Sequence, residues 1–232
     1  CKFCATGAIG HKRNMTADEI TDQILYFYLA GHQINSVSFM GMGEPFANPN
    51  LFDALKILTN PSLFGLSQRR ITISTIGMIP GIKRLTRDFP QVNLAFSLHS
   101  PFEKQRSELM PINQTYPLHK VMDALDAHVA NTKRRLFLAY IMLGGINDSA
   151  EHAKALAHLI LSRGALSYLY HVDLIPYNAT DKTARKFTAS NHEAIKNFSD
   201  ILHSNRISVA IRMQFGSDIG AGGGQLYADE RV

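Results

Sequence analysis

Short runs of apolar and β-branched residues alternate with longer stretches in which apolar positions return every three or four residues, and the alternation continues almost to the end of the chain. Strands are predicted over residues 36–42, 70–74, 92–98, 136–142, 171–176 and 207–213, with helices over 16–30, 49–58, 80–87, 118–130, 149–162 and 190–204. The first helix has the clearest limits: Thr16 and Glu19 have the spacing of a capping box, and Gly31 supplies the stop. This order of elements predicts an α/β fold with a parallel sheet wrapped in helices. Periodicity leaves a barrel and an open doubly wound sheet both standing. No linker, low-complexity segment or fixed-period repeat interrupts the pattern, so one domain over residues 1–232 is expected.

Composition narrows the class. The 232 residues, 45% hydrophobic and 19% charged, are enough for a substantial core, which excludes intrinsic disorder and a disulfide-stapled mini-protein. Apolar runs such as 136–143 fall far short of the roughly 20 residues of a membrane helix, so no membrane association is expected. The net charge of +5 fits a polyanionic partner and many ordinary enzymes alike. Only Cys1 and Cys4 are cysteines, too close together to frame a chain of this size, and a reducing cytoplasmic setting is expected. The start at Cys1, with neither Met nor a leader, reads as the cut edge of a longer protein.

Candidate chemistry gathers at the ends of the predicted strands, where α/β folds place their sites. Cys1-Lys2-Phe3-Cys4 suits zinc, an iron–sulfur cluster or a redox dithiol, against the plainer reading of two unrelated thiols. Zinc lacks a second ligand pair, and a thioredoxin-like pair should open directly into a helix. The strand over 36–42 runs into Gly41-Met42-Gly43-Glu44-Pro45, whose glycines permit close backbone approach and whose carboxylate can accept from an ammonium or hydroxyl; a tight turn with an exposed Glu is the alternative. Ser74-Thr75, Ser97-Leu98-His99-Ser100 and Tyr177-Asn178 put polar groups at further strand ends, although a lone His such as His99 is more often a core residue than a ligand.

Taken in order, Cys1-x-x-Cys4-Ala5-Thr6-Gly7, Gly41-Met42-Gly43-Glu44-Pro45, Ser74-Thr75-x-Gly77, Ser97-Leu98-His99, Met110-Pro111-Ile112-Asn113, Leu174-Ile175-x-Tyr177-Asn178 and Gly224-Gln225-Leu226 resemble the Cfr/RlmN family of radical SAM 23S rRNA adenine methyltransferases. The likeness spans essentially the whole chain and is closer to the Cfr branch, on Phe39-Met40-Gly41-Met42-Gly43-Glu44, 74–80, 97–101 and Gln214-Phe215-Gly216, although Pro45 reads more like RlmN. It implies a partial (β/α) radical SAM barrel, with the first strand and an N-terminal domain lying before this chain, and a C-terminal Gly-rich segment at 214–232.

The resemblance also implies cofactors and roles. Cys1 and Cys4 match the second and third cysteines of a triplet holding a 4Fe-4S cluster, so this chain alone should hold a cluster poorly. Gly43, Glu44, Ser74, Ser97, Leu98, His99 and Asn178 match the contacts to S-adenosylmethionine, with His99 a binder and not a base. The implied reaction methylates an adenine of 23S ribosomal RNA, at carbon 8 in preference to carbon 2, with electrons from a flavodoxin or ferredoxin. In the family an adenosyl radical activates a methylated cysteine near the C-terminus. Gly223 stands at that position here, so this polypeptide is not expected to complete the reaction, and Asp173 stands where Asn is expected. For the RNA, His11-Lys12-Arg13 beside the cysteines is preferred over Gln68-Arg69-Arg70, Lys133-Arg134-Arg135 and 182–186. Two rivals are a degenerate paralogue that binds S-adenosylmethionine or RNA without catalysis, and a metabolic barrel holding zinc at Cys1 and Cys4.

Overall fold

The structure is a computed structural model and describes residues 1–178 and 186–213. Six strands, β1 (Val37–Phe39), β2 (Ile71–Thr75), β3 (Asn93–Ser97), β4 (Leu136–Met142), β5 (Tyr170–Pro176) and β6 (Ser208–Ile211), form one sheet in the order β1-β2-β3-β4-β5-β6. Every neighbouring pair is parallel, with Thr75 beside Phe96, Ser97 beside Ala139 and Met142 beside Pro176 at the carboxyl ends. A doubly wound sheet reverses its strand order at a switch point. This sheet never reverses, so it is an open stretch of barrel wall, and the ambiguity left by periodicity is removed.

The strands show why. Ile71, Ile73, Leu94, Phe96, Leu136, Leu138, Tyr140, Met142, Val172 and Leu174 are wholly buried and share one core with Leu55 and Leu58 of α3 (Leu51–Thr59), Ile82 and Leu85 of α4 (Ile79–Asp88) and Leu125 of α6 (Leu118–Thr132). The same core takes in Leu156 of α7 (Ala150–Leu161) and Phe198 of α8 (His192–Ser204). The alternate positions, among them Ser38, Thr72, Ala95 and Phe137, line a cavity of about 150 Å³ on the other face together with Met40 and Arg212. Helices on one face and a mixed polar and apolar lining on the other are the two sides of a barrel wall.

All six predicted strands and all six predicted helices are present, with ends shifted by a few residues. In α2 (Ala17–Leu29), Thr16 Oγ1 accepts the Glu19 N–H at 3.2 Å and Glu19 Oε2 accepts the Thr16 N–H at 2.9 Å, the capping box as read. Two helices were not foreseen, α1 (Ala5–Ile9) and α5 (Glu103–Leu109). The first is a five-residue turn and the second, Glu-Lys-Gln-Arg-Ser-Glu-Leu, has no apolar period. A second, smaller core joins Phe3, Leu109, Met110, Leu143, Tyr177 and Phe187, and lies beyond the carboxyl ends of β4 and β5.

Candidate cofactor site

The loop after β1 is shaped by handedness. Gly41 and Gly43 have φ of 110° and 80°, a region closed to most L side chains, although a Cβ at either would meet nothing within 4 Å. The turn they make aims Glu44 at the end of β2. Its Oε1 accepts from the Thr75 hydroxyl at 2.7 Å and the Phe46 N–H at 3.3 Å, and its Oε2 accepts from the Ile76 N–H at 2.8 Å. Burial holds the Glu44 carboxyl above its ordinary pKa, while these three bonds pull the other way. Two carboxylate oxygens offer about four lone-pair positions, so one stays open for an incoming donor.

At the end of β3, Ser97 is half-buried, Leu98 is wholly in the core, and His99 is 7% exposed with φ of 57°. Leu98 donates its N–H to Ala139 O at 3.0 Å and its carbonyl accepts from Ser100 N–H at 2.8 Å, so both its main-chain groups are engaged within the protein. Asn147 fixes the left-handed turn of His99 by donating from Nδ2 to the His99 and Ile141 carbonyls, both at 2.8 Å. His99 Nδ1 accepts the Ile141 N–H at 3.0 Å, which assigns the ring proton to Nε2. Burial, then the positive charge of Arg106, lowers its pKa to about 3. His99 is therefore a neutral imidazole near pH 7.

The cysteine loop closes onto the same rim. Phe3, 7% exposed, sets its ring edge-on to His99 with centroids 5.2 Å apart, and its carbonyl accepts from the Tyr177 hydroxyl at 3.3 Å. Lys2 N–H donates to Leu109 O at 2.9 Å. These contacts bring Cys1 and Cys4 beside the ends of β3 and β5. Asn178 follows buried Tyr177 at that end, and Ser74 sits half-buried on the open face of β2, two residues before Ile76. Thus Glu44, Ser74, Ser97, His99, Asn178 and the cysteine loop occupy one carboxyl-end rim, while Leu98 lies behind it.

Both thiols are free, Cys1 exposed and Cys4 half-buried, and Cys4 Sγ accepts the Gly7 N–H at 3.3 Å. Soft, unpaired donors on one tight loop suit iron–sulfur ligation. Among the described residues no group of three or more His, Cys, Asp or Glu could hold a metal ion. Gly223, the segment 214–232 and basic residues 182–185 lie outside the described residues. Of the basic clusters, Gln68-Arg69-Arg70 and Lys133-Arg134-Arg135 precede β2 and β4 and so lie at the far end of the sheet. Arg13, in the preferred cluster, is clasped by Glu19 through two bonds of 2.7 and 2.8 Å.

Sequence reasoning overlooked Arg106. It is fully buried, and donates from Nη2 to Ile76 O at 2.9 Å and Ser97 O at 3.1 Å, from Nε to Leu98 O at 3.1 Å and from Nη1 to Asn113 Oδ1 at 2.5 Å. Burial lowers its pKa to about 10. The one available signal was Asn113, in Met110-Pro111-Ile112-Asn113.

An open parallel half-barrel with two free thiols and polar groups gathered at one rim is the framework of an α/β-barrel enzyme. Residues 1–160 match the model of the radical SAM superfamily. The chain is 72% identical over 232 residues to the ribosomal RNA large subunit methyltransferase Cfr of Lachnoclostridium phytofermentans, covering all of this chain and 67% of that protein. It is 66% identical over 231 residues to the protein of the same name from Clostridium botulinum, covering 99% of this chain and 67% of that one. A crystal structure of a radical SAM methyltransferase from Sphaerobacter thermophilus superposes with a TM-score of 0.89 at 40% identity, over 97% of this chain and 65% of that one. The chain therefore spans about two thirds of the length of these relatives. It belongs to the radical SAM superfamily, and within it to the Cfr family of methyltransferases. No helix among the described residues is long and apolar enough to cross a membrane.

Proposed function

We propose that this chain is the core of an enzyme that uses S-adenosylmethionine to methylate an adenine of large-subunit ribosomal RNA, at carbon 8. The reading is carried by one observation: residues from four strand ends and the cysteine loop, distant in sequence, share a single rim through the bonds of Glu44, His99 and Phe3. Support for the substrate comes from relatives named as ribosomal RNA large subunit methyltransferases. Carbon 8 rests on the Cfr-like wording of residues 39–44, 74–80 and 97–101.

Cys1 and Cys4 supply two of the thiolates for a 4Fe-4S cluster. When bound, such a cluster provides the single electron that breaks a carbon–sulfur bond of S-adenosylmethionine, replenished by a flavodoxin- or ferredoxin-type reductant. Glu44 accepts a hydrogen bond from the cofactor's ammonium at its open lone pair, a charge-assisted contact. Gly41 and Gly43 leave the space above the turn clear for the amino-acid end. Ser74, Ser97, His99 and Asn178 orient the ribose and adenine, with the neutral His99 unable to take part as a charged acid near pH 7. Apolar Phe3, Met110 and Phe187 screen one side of the rim from water.

A second reading is favoured by Gly223: a chain without the methyl-carrying cysteine binds its ligands but does not transfer the methyl group. One experiment addresses both. Anaerobic reconstitution of the full-length protein with iron and sulfide, followed by reductant, S-adenosylmethionine and a ribosomal RNA fragment, is read by mass spectrometry of the nucleosides, with and without Gly223→Cys. The proposal expects cofactor cleavage in both forms and 8-methyladenosine only with cysteine restored. Cleavage without methylation in either form supports the binder. Stoichiometric zinc with no iron overturns the assignment.

A further inference from the structure

A buried arginine with no carboxylate among its hydrogen-bond partners is unusual, because the desolvated charge must be satisfied by neutral dipoles. Arg106 uses four of the five N–H donors of a guanidinium, on Ile76 O, Ser97 O, Leu98 O and Asn113 Oδ1. Three of these acceptors are main-chain carbonyls at the ends of two neighbouring strands. The guanidinium lies over the Phe96 ring, 4.9 Å from its centroid, which fixes its plane. Asn113, 1% exposed, is itself held: its Nδ2 donates to Glu103 Oε1 at 3.0 Å and Ser107 Oγ at 2.8 Å, and Glu103 Oε1 also accepts the Leu118 N–H at 2.9 Å.

Each carbonyl belongs to a segment that carries a proposed cofactor contact. Ile76 gives its N–H to Glu44 and its carbonyl to Arg106, so the arginine and the glutamate grip opposite sides of one residue. Ser97 is a proposed contact, and Leu98 immediately precedes His99. We propose that Arg106, oriented by Asn113 and Glu103, is a positioning residue for S-adenosylmethionine, locking the ends of β2 and β3 at the spacing the cofactor needs. This gives Met110-Pro111-Ile112-Asn113 a role, since Asn113 is the arginine's side-chain acceptor. Lysine cannot substitute fully, because an ammonium lacks the flat fork that reaches three carbonyls in different directions.

The inference rests on the proposed S-adenosylmethionine site. Its test compares wild type, Arg106→Lys, Arg106→Met and Asn113→Ala in the reconstituted protein, by equilibrium binding of S-adenosylmethionine, hydrogen exchange at the Ile76 and Ser100 amides, and thermal melting. Arg106→Met is expected to weaken cofactor binding by about tenfold or more, the factor tied to losing hydrogen bonds of a charged group, and to speed exchange at both amides. Arg106→Lys and Asn113→Ala should fall between it and wild type. If Arg106→Met does not fold, the two milder variants carry the test. A lowered melting point with unchanged cofactor affinity and unchanged exchange makes Arg106 merely structural and overturns the inference. A wild-type protein that binds no S-adenosylmethionine overturns the proposed function instead.

Discussion

Replacing Gly81 with alanine probes how the Glu44 turn is supported. Gly81 is buried in the first turn of α4, and a Cβ there would lie 2.2 Å from Cγ, 2.5 Å from Cβ and 2.7 Å from Cδ2 of Phe46, far inside the 3.4 Å at which ordinary contact begins. Because the Phe46 Cβ is itself in the way, rotating the ring is not enough. The short helical turn Pro45–Ala47 must shift, which pulls the Phe46 N–H from Glu44 Oε1 and disturbs the parallel stacking of Phe46 on Phe52. Overpacking of this kind costs about 1–3 kcal/mol. Removing a helical glycine returns up to about 1 kcal/mol. Because a separation of 2.2 Å puts the cost at the upper end of that range, the net expectation for Gly81→Ala is a loss of about 2 kcal/mol in denaturant unfolding, with weaker S-adenosylmethionine binding. In Gly81→Ala/Phe46→Ala the new methyl occupies space the ring has left, so the double variant should be more stable than the two single effects predict, by about 1 kcal/mol. A Gly81→Ala protein as stable as wild type, or strict additivity in the cycle, would refute this packing argument.

Acid sensitivity is the second expectation. Burial lowers His99 to about 3 and His128 to about 4, from an ordinary 6.5, so both stay neutral in the fold while the unfolded chain takes up protons. Stability should therefore fall as pH drops below about 6.5, by up to about 1.4 kcal/mol per pH unit for each histidine; His128→Gln should reduce that slope, and an identical slope would count against it. Tyr177→Phe removes the bond to Phe3 O, and should cost about 0.5–1.5 kcal/mol while speeding iron loss from the reconstituted protein; equal iron retention would detach Tyr177 from the cysteine loop. Cys4→Ser should abolish iron uptake, measured by metal analysis after reconstitution, and full incorporation would remove Cys4 from the ligand set.

The sheet was legible because its helix-facing positions are so uniformly apolar: Leu136, Leu138, Tyr140 and Met142 announce a buried strand face without help from any partner. The helices were legible where a cap marks them, as at Thr16, Ser149 and Asn191, whose side chains accept from the third residue on. What periodicity could not say was the sense of winding, since barrel and doubly wound sheets share their local pattern. Glu44 and His99 stood out as polar residues at strand ends, and both lie at the carboxyl-end rim. Arg106 was not, because a lone arginine in a charged stretch such as 103–108 looks like a solvated helix face, and only tertiary packing turns it inward. Leu98, within the Ser97-Leu98-His99 motif, lies in the core behind the rim, a placement that the motif alone does not reveal.

The turn at Gly41 and Gly43 is bounded by chirality and not by crowding, since the volume beside both α-carbons is empty. A mirror-image residue there meets neither penalty. D-Alanine introduced by semisynthesis at either position would stiffen the unfolded chain while leaving the turn's shape untouched, and so should raise the melting temperature where L-alanine lowers it.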